Sequence, residues 1–598
     1  MGTVKIRILF WVLFPFSIWA AKLQYEVHFE GLDDAAILAD LKNSSDLILL
    51  KDRPPATVNG LQYRAQADIP KLLQILKAYA YYDAHITYEI RVENDLLYVD
   101  LFIHPGPPYR LGSYEIFHGD CLDSTPLPRC PALSPGDIGL NLGQIADSTS
   151  IVKAEMAVLT QVAGCGYPLA YIDKRKVIVD MADKKVDAAV CVQEGPLCRF
   201  GPITFFGLKN INPRFIDRKI TWKEGEIFNL DRIDETQNQL LKSDLFSSVL
   251  ITHAEELDEA GELSMKIRLS EAKHRSISLG FFYATVDGPG GTVCWIHRNL
   301  RGMGEYLSLE SNVSKRFIDG SATYRKPDFF HIDQTFSAHA KASRENIVPY
   351  CAFTYLESNR IERQINSRST VSAGLNGQYI SVHKSVNNGH FFVLGMPLFA
   401  QYSTADAPLD PTKGLSFTYT ATPYQSLNKG SVHYVKQRLT GNFYIPLTRE
   451  RKVILALRAQ VGSIAGADQK EIPLPLLFLG GSEDDLRGYG YKTVSPLGRK
   501  KGRADKDTPQ GGRSAIFTTV EFRFRVTKSI GIVPFADFGT VTLNECPQIH
   551  AKWFRSVGGG LRYYTFFGPL RLDIGFPLDR RKKIDTWGKV YASIGQCF

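Results

Sequence analysis

The sequence predicts a chain in two parts: tandem α+β repeats of β-α-α-β-β plan, then a 16-stranded antiparallel transmembrane β-barrel. Three observations predict it. Residues 21–275 run three times through strand, helical sequence and two strands, and tandem self-similarity marks a repeat architecture. From Ser276 the helical periodicity stops, and alternating runs of about ten residues follow one another to Phe598. After the first twenty residues no uninterrupted apolar run reaches the ~18 residues of a membrane helix. Barrel strands alternate and leave mean hydropathy near neutral, here −0.14.

The first element is a targeting segment. Lys5 and Arg7 precede an apolar stretch at 8–19, followed by Ala20 and Ala21. This reads as a secretory signal peptide over 1–20, cut after Ala20, so the mature chain works outside the cytoplasm. Nine cysteines are therefore free to oxidise, five of them between 121 and 198. Their pairing stays open, and the odd total leaves at least one unpaired within a monomer. No C-x-x-C pair and no histidine at zinc-finger spacing occurs, so no metal is expected. The net charge of +9 comes without a clustered basic stripe on a nucleic-acid module, so no nucleic-acid partner is expected.

The repeats follow at 21–108, 109–197 and 198–275. The first has a strand at 23–30, a helix at 69–80 and strands at 85–92 and 96–104. The second has a helix at 148–163 and strands at 176–181 and 186–192. The third opens with a strand at 202–207, has helices at 213–220 and 230–243, and closes with strands at 248–254 and 263–271. The junctions echo one another: Gly106-Pro107-Pro108-Tyr109-Arg110-Leu111-Gly112 against Gly195-Pro196-Leu197-Cys198-Arg199-Phe200-Gly201.

The barrel occupies 276–598. In 516–526 one face carries Ile516, Thr518, Val520, Phe522, Phe524 and Val526, the other Phe517, Thr519, Glu521, Arg523 and Arg525. In 570–576 Leu570, Leu572, Ile574 and Phe576 oppose Arg571, Asp573 and Gly575. An apolar face against a charged face, repeated without a covering helix, fits lipid outside and water inside. At about 20 residues per strand and loop the segment holds about 16 strands. An even number returns both ends to one side. The first strand is expected near 277–285, the last near 590–598.

Five motifs then appear in order. Gly480-Gly481-Ser482-Glu483-Asp484-Asp485-Leu486-Arg487-Gly488-Tyr489 is the first, followed by a strand at 517–525 bearing Glu521. Next come Val533-Pro534-Phe535-Ala536-Asp537-Phe538-Gly539, Val557-Gly558-Gly559-Gly560-Leu561-Arg562-Tyr563 and Gly568-Pro569-Leu570-Arg571-Leu572-Asp573. Together they resemble the outer-membrane assembly factor superfamily of the BamA/TamA surface-antigen type. The three repeats resemble its POTRA (polypeptide-transport-associated) domains. Three of them resemble the TamA branch more than the five-repeat BamA branch or the two-repeat secretion transporters.

The resemblance implies that the loop holding Leu486, Arg487, Gly488 and Tyr489 folds into the barrel lumen. A confined guanidinium needs a carboxylate, and Asp537 and Glu521 on inward strand positions are the candidates. Gly488 lets the turn bend, and Tyr489 packs while its hydroxyl finds a partner. The basic run Arg499, Lys500, Lys501, Arg503, Lys506 and Arg513 reads as solvated loop, or as contact with lipid phosphates or the lumen wall. The glycines at 558–560 precede no Lys-Ser/Thr helix start, so they let a lipid or neighbouring strand come close, or kink the strand.

No cofactor and no catalytic constellation is expected, hence no enzyme. The implied function is an outer-membrane insertase or translocase. Its periplasmic POTRA domains would take unfolded outer-membrane or autotransporter-like clients by strand addition. Its barrel would open at a lateral seam near Ile277, Leu279, Ile594, Gly595 and Phe598. Outer-membrane lipids are implied partners, and a TamB-like inner-membrane-anchored partner would meet the first POTRA domain. A polypeptide-secreting pore of the two-partner type remains the alternative, and a soluble periplasmic scaffold a third reading.

Overall fold

The computed structural model describes residues 23–598 apart from 94–95, 119–129, 131–132, 285–287, 386, 428–430, 499–506, 567, 583, 595 and 597. The signal-peptide expectation lies outside the described residues, as do Gly595 and the basic run from Arg499 to Lys506. The chain divides into two compact units. One holds 1–204, 221–237 and 251–267, the other 205–220, 238–250 and 268–598.

Three small sheets share one strand order. The first comprises β1 (Tyr25–Glu30), β2 (His85–Glu93) and β3 (Leu96–His104), ordered β1-β3-β2. Strand β3 runs parallel to β1 and antiparallel to β2. Its odd-numbered face, Leu97, Val99, Leu101 and Ile103, is buried with Leu41 of α1 (Ala35–Ser44) and with Leu61, Ala65, Leu72 and Leu76 of α3 (Val58–Ala78). Between them lies α2 (Asp46–Leu49), whose first N–H groups donate to buried Asp68. The sequence reading started the long helix at 69. It starts at Val58, where Thr57 caps it, and runs through Pro70.

The second sheet comprises β4 (Arg110–His118), β5 (Tyr171–Asp180) and β6 (Lys185–Gln193), ordered β4-β6-β5, with α4 (Ser148–Gly164). Strand β5 begins at Tyr171 rather than 176. It is an edge strand exposed along almost its whole length, so Asp173, Lys174 and Arg175 show no apolar alternation. A disulfide joins Cys130 to Cys165, and Cys191 is disulfide-bonded as well. The third sheet comprises β7 (Arg199–Phe206), β8 (Phe246–His253) and β9 (Glu262–Glu271), ordered β7-β9-β8, with α5 (Pro213–Asp217) and α6 (Leu230–Leu241).

Glu271 ends β9 and accepts the N–H groups of Lys209, Asn210 and Ile211 at 2.7, 2.8 and 3.1 Å. Its other oxygen lies 3.1 Å from His274 Nε2. Burial would push its carboxyl up, but the Lys209 and Asn210 N–H groups, His274 and the Ile211 N–H together hold it down at about 2.

The barrel wall is one antiparallel sheet whose strands pair in chain order. Its first half is β10 (Arg275–Ala284), β11 (Gly288–His297), β12 (Tyr306–Ser314), β13 (Phe317–Lys326), β14 (Gln334–Asn346), β15 (Cys351–Asn366), β16 (Ser369–His383), β17 (Gly389–Gly395) and β18 (Leu398–Ser403). Its second half is β19 (Gly414–Ser426), β20 (Val432–Pro446), β21 (Val453–Ala465), β22 (Ser514–Arg525), β23 (Ile530–Thr542), β24 (Phe554–Thr565), β25 (Gly568–Pro577) and β26 (Lys589–Ile594). Strands β17 and β18 both pair with β16 and with β19, so they are two halves of one stave. The break falls at Pro397, which has no N–H to give the ladder. Seventeen segments thus make sixteen staves, and both ends of the wall return to one rim.

Outward positions are apolar and open, as at Ile277 and Leu279, 71% and 72% exposed. Inward positions near β21–β25 are polar or charged, with Glu521, Arg523, Asp537, Arg562, Arg571 and Asp573 all buried. Among the described residues β10 and β26 do not pair. The last strand stops at Ile594, short of the expected 598. Gln596 turns into the lumen, where its N–H and side chain find Leu409 and Asp410.

Candidate functional site: a loop ion-paired inside the barrel

The connection from β21 to β22 spans 466–513 and enters the lumen. Asp485 shapes its entry by accepting the N–H groups of Gly481 and Ser482 at 3.0 and 2.7 Å. Ile472, Leu474, Leu477, Phe478, Leu486, Tyr489 and Val494 of the loop bury themselves against wall residues such as Ile380, Val382, Tyr434, Ile464, Phe517 and Phe554. Lys492 braces the opposite wall, 2.9 Å from Glu345 and 3.0 Å from the Tyr350 hydroxyl. Loop and wall side chains therefore form one apolar stopper inside the lumen toward the far rim.

Below the stopper sits Arg487, 1% exposed. Its Nε and Nη2 grip Asp537 in two-pronged fashion at 2.9 and 2.8 Å, and its backbone N–H adds a third bond to the same carboxylate at 3.1 Å. Nη1 reaches Glu521 at 2.7 Å and Asp573 at 3.0 Å. The guanidinium carbon stands 3.4 Å above the centre of the Phe535 ring. Glu521 also accepts from Arg523 at 3.1 Å, and Asp573 from Arg562 at 2.5 Å. Arg571 stands 3.8 Å from Asp573 and binds Glu483 at 2.7 Å, so four guanidiniums face four carboxylates, the balance that buried charges require.

The strands deliver these groups by simple alternation. Glu521 and Arg523 share the inward face of β22, Phe535 and Asp537 that of β23, and Arg571 and Asp573 that of β25. The glycines of β24 supply the space. A Cβ on Gly560 would stand 2.0 Å from Asp573 Oδ1, and one on Gly558 2.1 Å from the Ile574 carbonyl and 2.3 Å from the Phe535 ring. Gly559 points the other way and meets nothing within 4 Å. The run therefore admits the neighbouring strands' side chains.

The structure brings Arg487, Asp537 and Glu521 together. Gly488 has φ +91° and donates its N–H to Tyr591 Oη at 3.0 Å. Tyr489 donates its hydroxyl to the Arg555 carbonyl at 2.9 Å and packs edge-on against Phe554. Leu486 belongs to the stopper. Of the seam residues, Ile277, Leu279 and Ile594 lie outward on β10 and β26. Phe598 does not lie at the seam. Its ring sits 5.2 Å from the Arg523 guanidinium and its carbonyl accepts from Arg523 at 3.0 Å, inside the lumen. Sequence reasoning missed Asp573, Arg562, Arg523 and Tyr591 as members of this network. The inward parity of Asp573 in 570–576 was the available signal. Arg513 binds the Leu543 and Ala467 carbonyls and Glu545, all on the protein itself.

Small α+β sheets in series before a sixteen-stave membrane barrel, with a long loop ion-paired in the lumen, define the class of POTRA-bearing outer-membrane barrels. The sequence profile of the Omp85 superfamily domain matches residues 299–598, and that of the surface antigen variable number repeat, a POTRA profile, matches 198–272. The chain belongs to the Omp85 superfamily. It is 23% identical over 547 residues to the outer membrane protein assembly factor BamA of Nitratidesulfovibrio vulgaris, a match covering 87% of this chain and 66% of that one. BamA of Buchnera aphidicola is 25% identical over 193 residues, 31% of this chain and 30% of that one. The chain thus spans less than two thirds of either relative. The crystal structure of Haemophilus ducreyi BamA lacking POTRA domains 1–3 shares the fold, with a TM-score of 0.65 at 16% identity over 81% of this chain and 99% of that one. The barrel lies in the outer membrane and the POTRA domains in the periplasm.

Proposed function

We propose that this chain inserts unfolded outer-membrane or autotransporter-like clients into the outer membrane at the seam between β10 and β26. The observation that carries this reading is an apolar loop cluster inside the lumen beside a seam across which the described strands share no ladder. The apolar cluster of the 466–513 loop packs against the inner wall, on the path a polypeptide threading the barrel would take. Strands β10 and β26 meanwhile share no ladder among the described residues, and unpaired edges recruit strands. Edge strand β5, exposed over most of its length, supplies a place where a client strand can add before it reaches the barrel. Three small sheets match the repeat count of the TamA-type branch, and on that resemblance the first repeat, 21–108, is the proposed contact for a TamB-like inner-membrane-anchored partner.

A disulfide engineered between positions 279 and 594 tests the seam. Client insertion should stop when the crosslink forms and return on reduction. Full insertion with a verified crosslink would refute the reading. In planar bilayers the purified protein should give small, flickering currents. A large steady conductance would favour the polypeptide-secreting pore instead.

A further inference from the structure

We propose that Tyr591 and Ser593 are positioning residues through which the lumen loop holds the last strand of the barrel from inside. Strand β26 is six residues long, and its described ladder runs to β25. A strand so short has little of its own to keep it in register. Its outward side chains Val590, Ala592 and Ile594 offer nothing polar. Two of its inward side chains, Tyr591 and Ser593, are engaged. Tyr591 is buried, accepts the Gly488 N–H at 3.0 Å and reaches the Tyr489 carbonyl at 3.5 Å. Ser593 Oγ accepts from Arg571 Nε at 2.9 Å, and the same guanidinium binds Glu483 of the loop at 2.7 Å.

The hold continues past the strand. Gln596 accepts from Arg562 at 2.8 Å, and Arg562 holds Asp573. The Phe598 carbonyl accepts from Arg523, which holds Glu521. Both carboxylates bind Arg487. Every described inward group from 591 to 598 is thus connected to the loop, directly or through one arginine and its carboxylate. The other side of the seam differs. On β10 the inward Ser276 is bound by Arg298, and no described β10 side chain bonds to the loop. The loop's seating and the last strand's position are therefore one mechanical unit, with Tyr591 as its shortest link.

This inference rests on the seam reading for its functional meaning, and the test separates the two. Spin labels are placed at 279 and 594, outward positions outside the network, by unnatural amino acids in the full chain in liposomes. The parent should give a single 279–594 distance. Tyr591→Phe, which keeps the ring and removes the acceptor, should shift and broaden that distance, and Tyr591→Phe with Ser593→Ala should do so further. Arg487→Ala should reproduce the shift although it lies on another element. Ser593→Ala alone, which disturbs no apolar packing, keeps the test valid should the tyrosine variant assemble poorly. An unchanged distance in the double variant overturns the hold, whatever insertion does. A shifted distance with undiminished client insertion supports the hold and counts against the seam as the insertion site.

Discussion

Gly488 and Gly575 meet backbone to backbone where the lumen loop touches the barrel wall. A Cβ on Gly575 would stand 2.9 Å from Gly488 N, and one on Gly488 3.0 Å from the Gly575 carbonyl group. Neither neighbour is a flexible side-chain tip that can swing away. Gly488 also has positive φ, which a larger residue adopts only with strain of about 1–3 kcal/mol. Gly575→Ala, at an extended position, isolates the contact from the strain. We expect both Gly488→Ala and Gly575→Ala to lift the loop and raise its protease sensitivity, while the barrel still migrates as a folded species in unheated gels. Unaltered cleavage in Gly575→Ala would show that the contact is not close enough to matter.

The glycine run of β24 makes an ordered prediction. Gly558→Ala drives a methyl into the Ile574 carbonyl and the Phe535 ring, and backbone cannot yield cheaply. Gly560→Ala displaces the Asp573 carboxylate from Arg562 and Arg487. Gly559→Ala meets nothing and removes a flexible residue from a strand, a change worth up to ~1 kcal/mol in the favourable direction. Thermal unfolding of the barrel, read by gel mobility, should fall for the 558 and 560 variants and hold or rise for 559. Equal losses at all three would mean that the glycines serve strand flexibility instead of side-chain space.

Much of this site was legible in the sequence, and the rest failed for identifiable reasons. The motif around Arg487 and the alternation in β22 and β23 pointed to Asp537 and Glu521, because motif and period are local properties. Asp573 lay on the correct face of its strand, but its meeting with Arg487 depends on loop depth and strand stagger, which no local pattern encodes. Phe598 was assigned to the seam because strand sequence runs to it; the attraction of Gln596 and Phe598 to arginines on distant strands overrode that. Helix α1 was missed because two buried residues, Ile37 and Leu41, make too short a period. The divided stave was signalled by Pro397, whose effect needed the pairing of β16 and β19 to be seen.

Glu271 gives a pH prediction outside the membrane. Its carboxyl titrates at about 2 against an ordinary 4.5, because three N–H groups and His274 favour the charged form. A depressed folded pKa contributes stability that is fully present above the unfolded value and lost as pH falls toward the folded one. The contribution is on the order of 3 kcal/mol. Amide exchange at Lys209, Asn210 and Ile211, corrected for intrinsic rate, should therefore show constant protection from neutral pH down to about 4.5 and falling protection below it. Glu271→Gln should lower protection at neutral pH and flatten the acid limb. Protection that rises on acidification in the parent would reverse the sign and exclude the carboxylate as its source.

The sharpest test concerns Arg487 and its carboxylates. Removing the guanidinium leaves Asp537 without its two-pronged partner and Glu521 and Asp573 with only Arg523, Arg562 and Arg571 beside them. Breaking a buried pair costs about 3–5 kcal/mol, against about 0–1 for an exposed one. The strand ladder does not depend on Arg487, so the barrel should still assemble in Arg487→Ala, with the loop loosened and client insertion falling more than protein level. Arg487→Lys should restore only part. One ammonium can reach one carboxylate but cannot grip Asp537 with two parallel bonds while stacking on Phe535. Asp537→Ala should loosen the loop in the same way. Because each single change strands the other's charge, the double variant should lose less than the sum of the two, with a coupling of about 0.5–3 kcal/mol in unfolding midpoint and loop cleavage. Strictly additive losses would mean that the two residues do not act on each other, and the lumen anchor would have to be dropped.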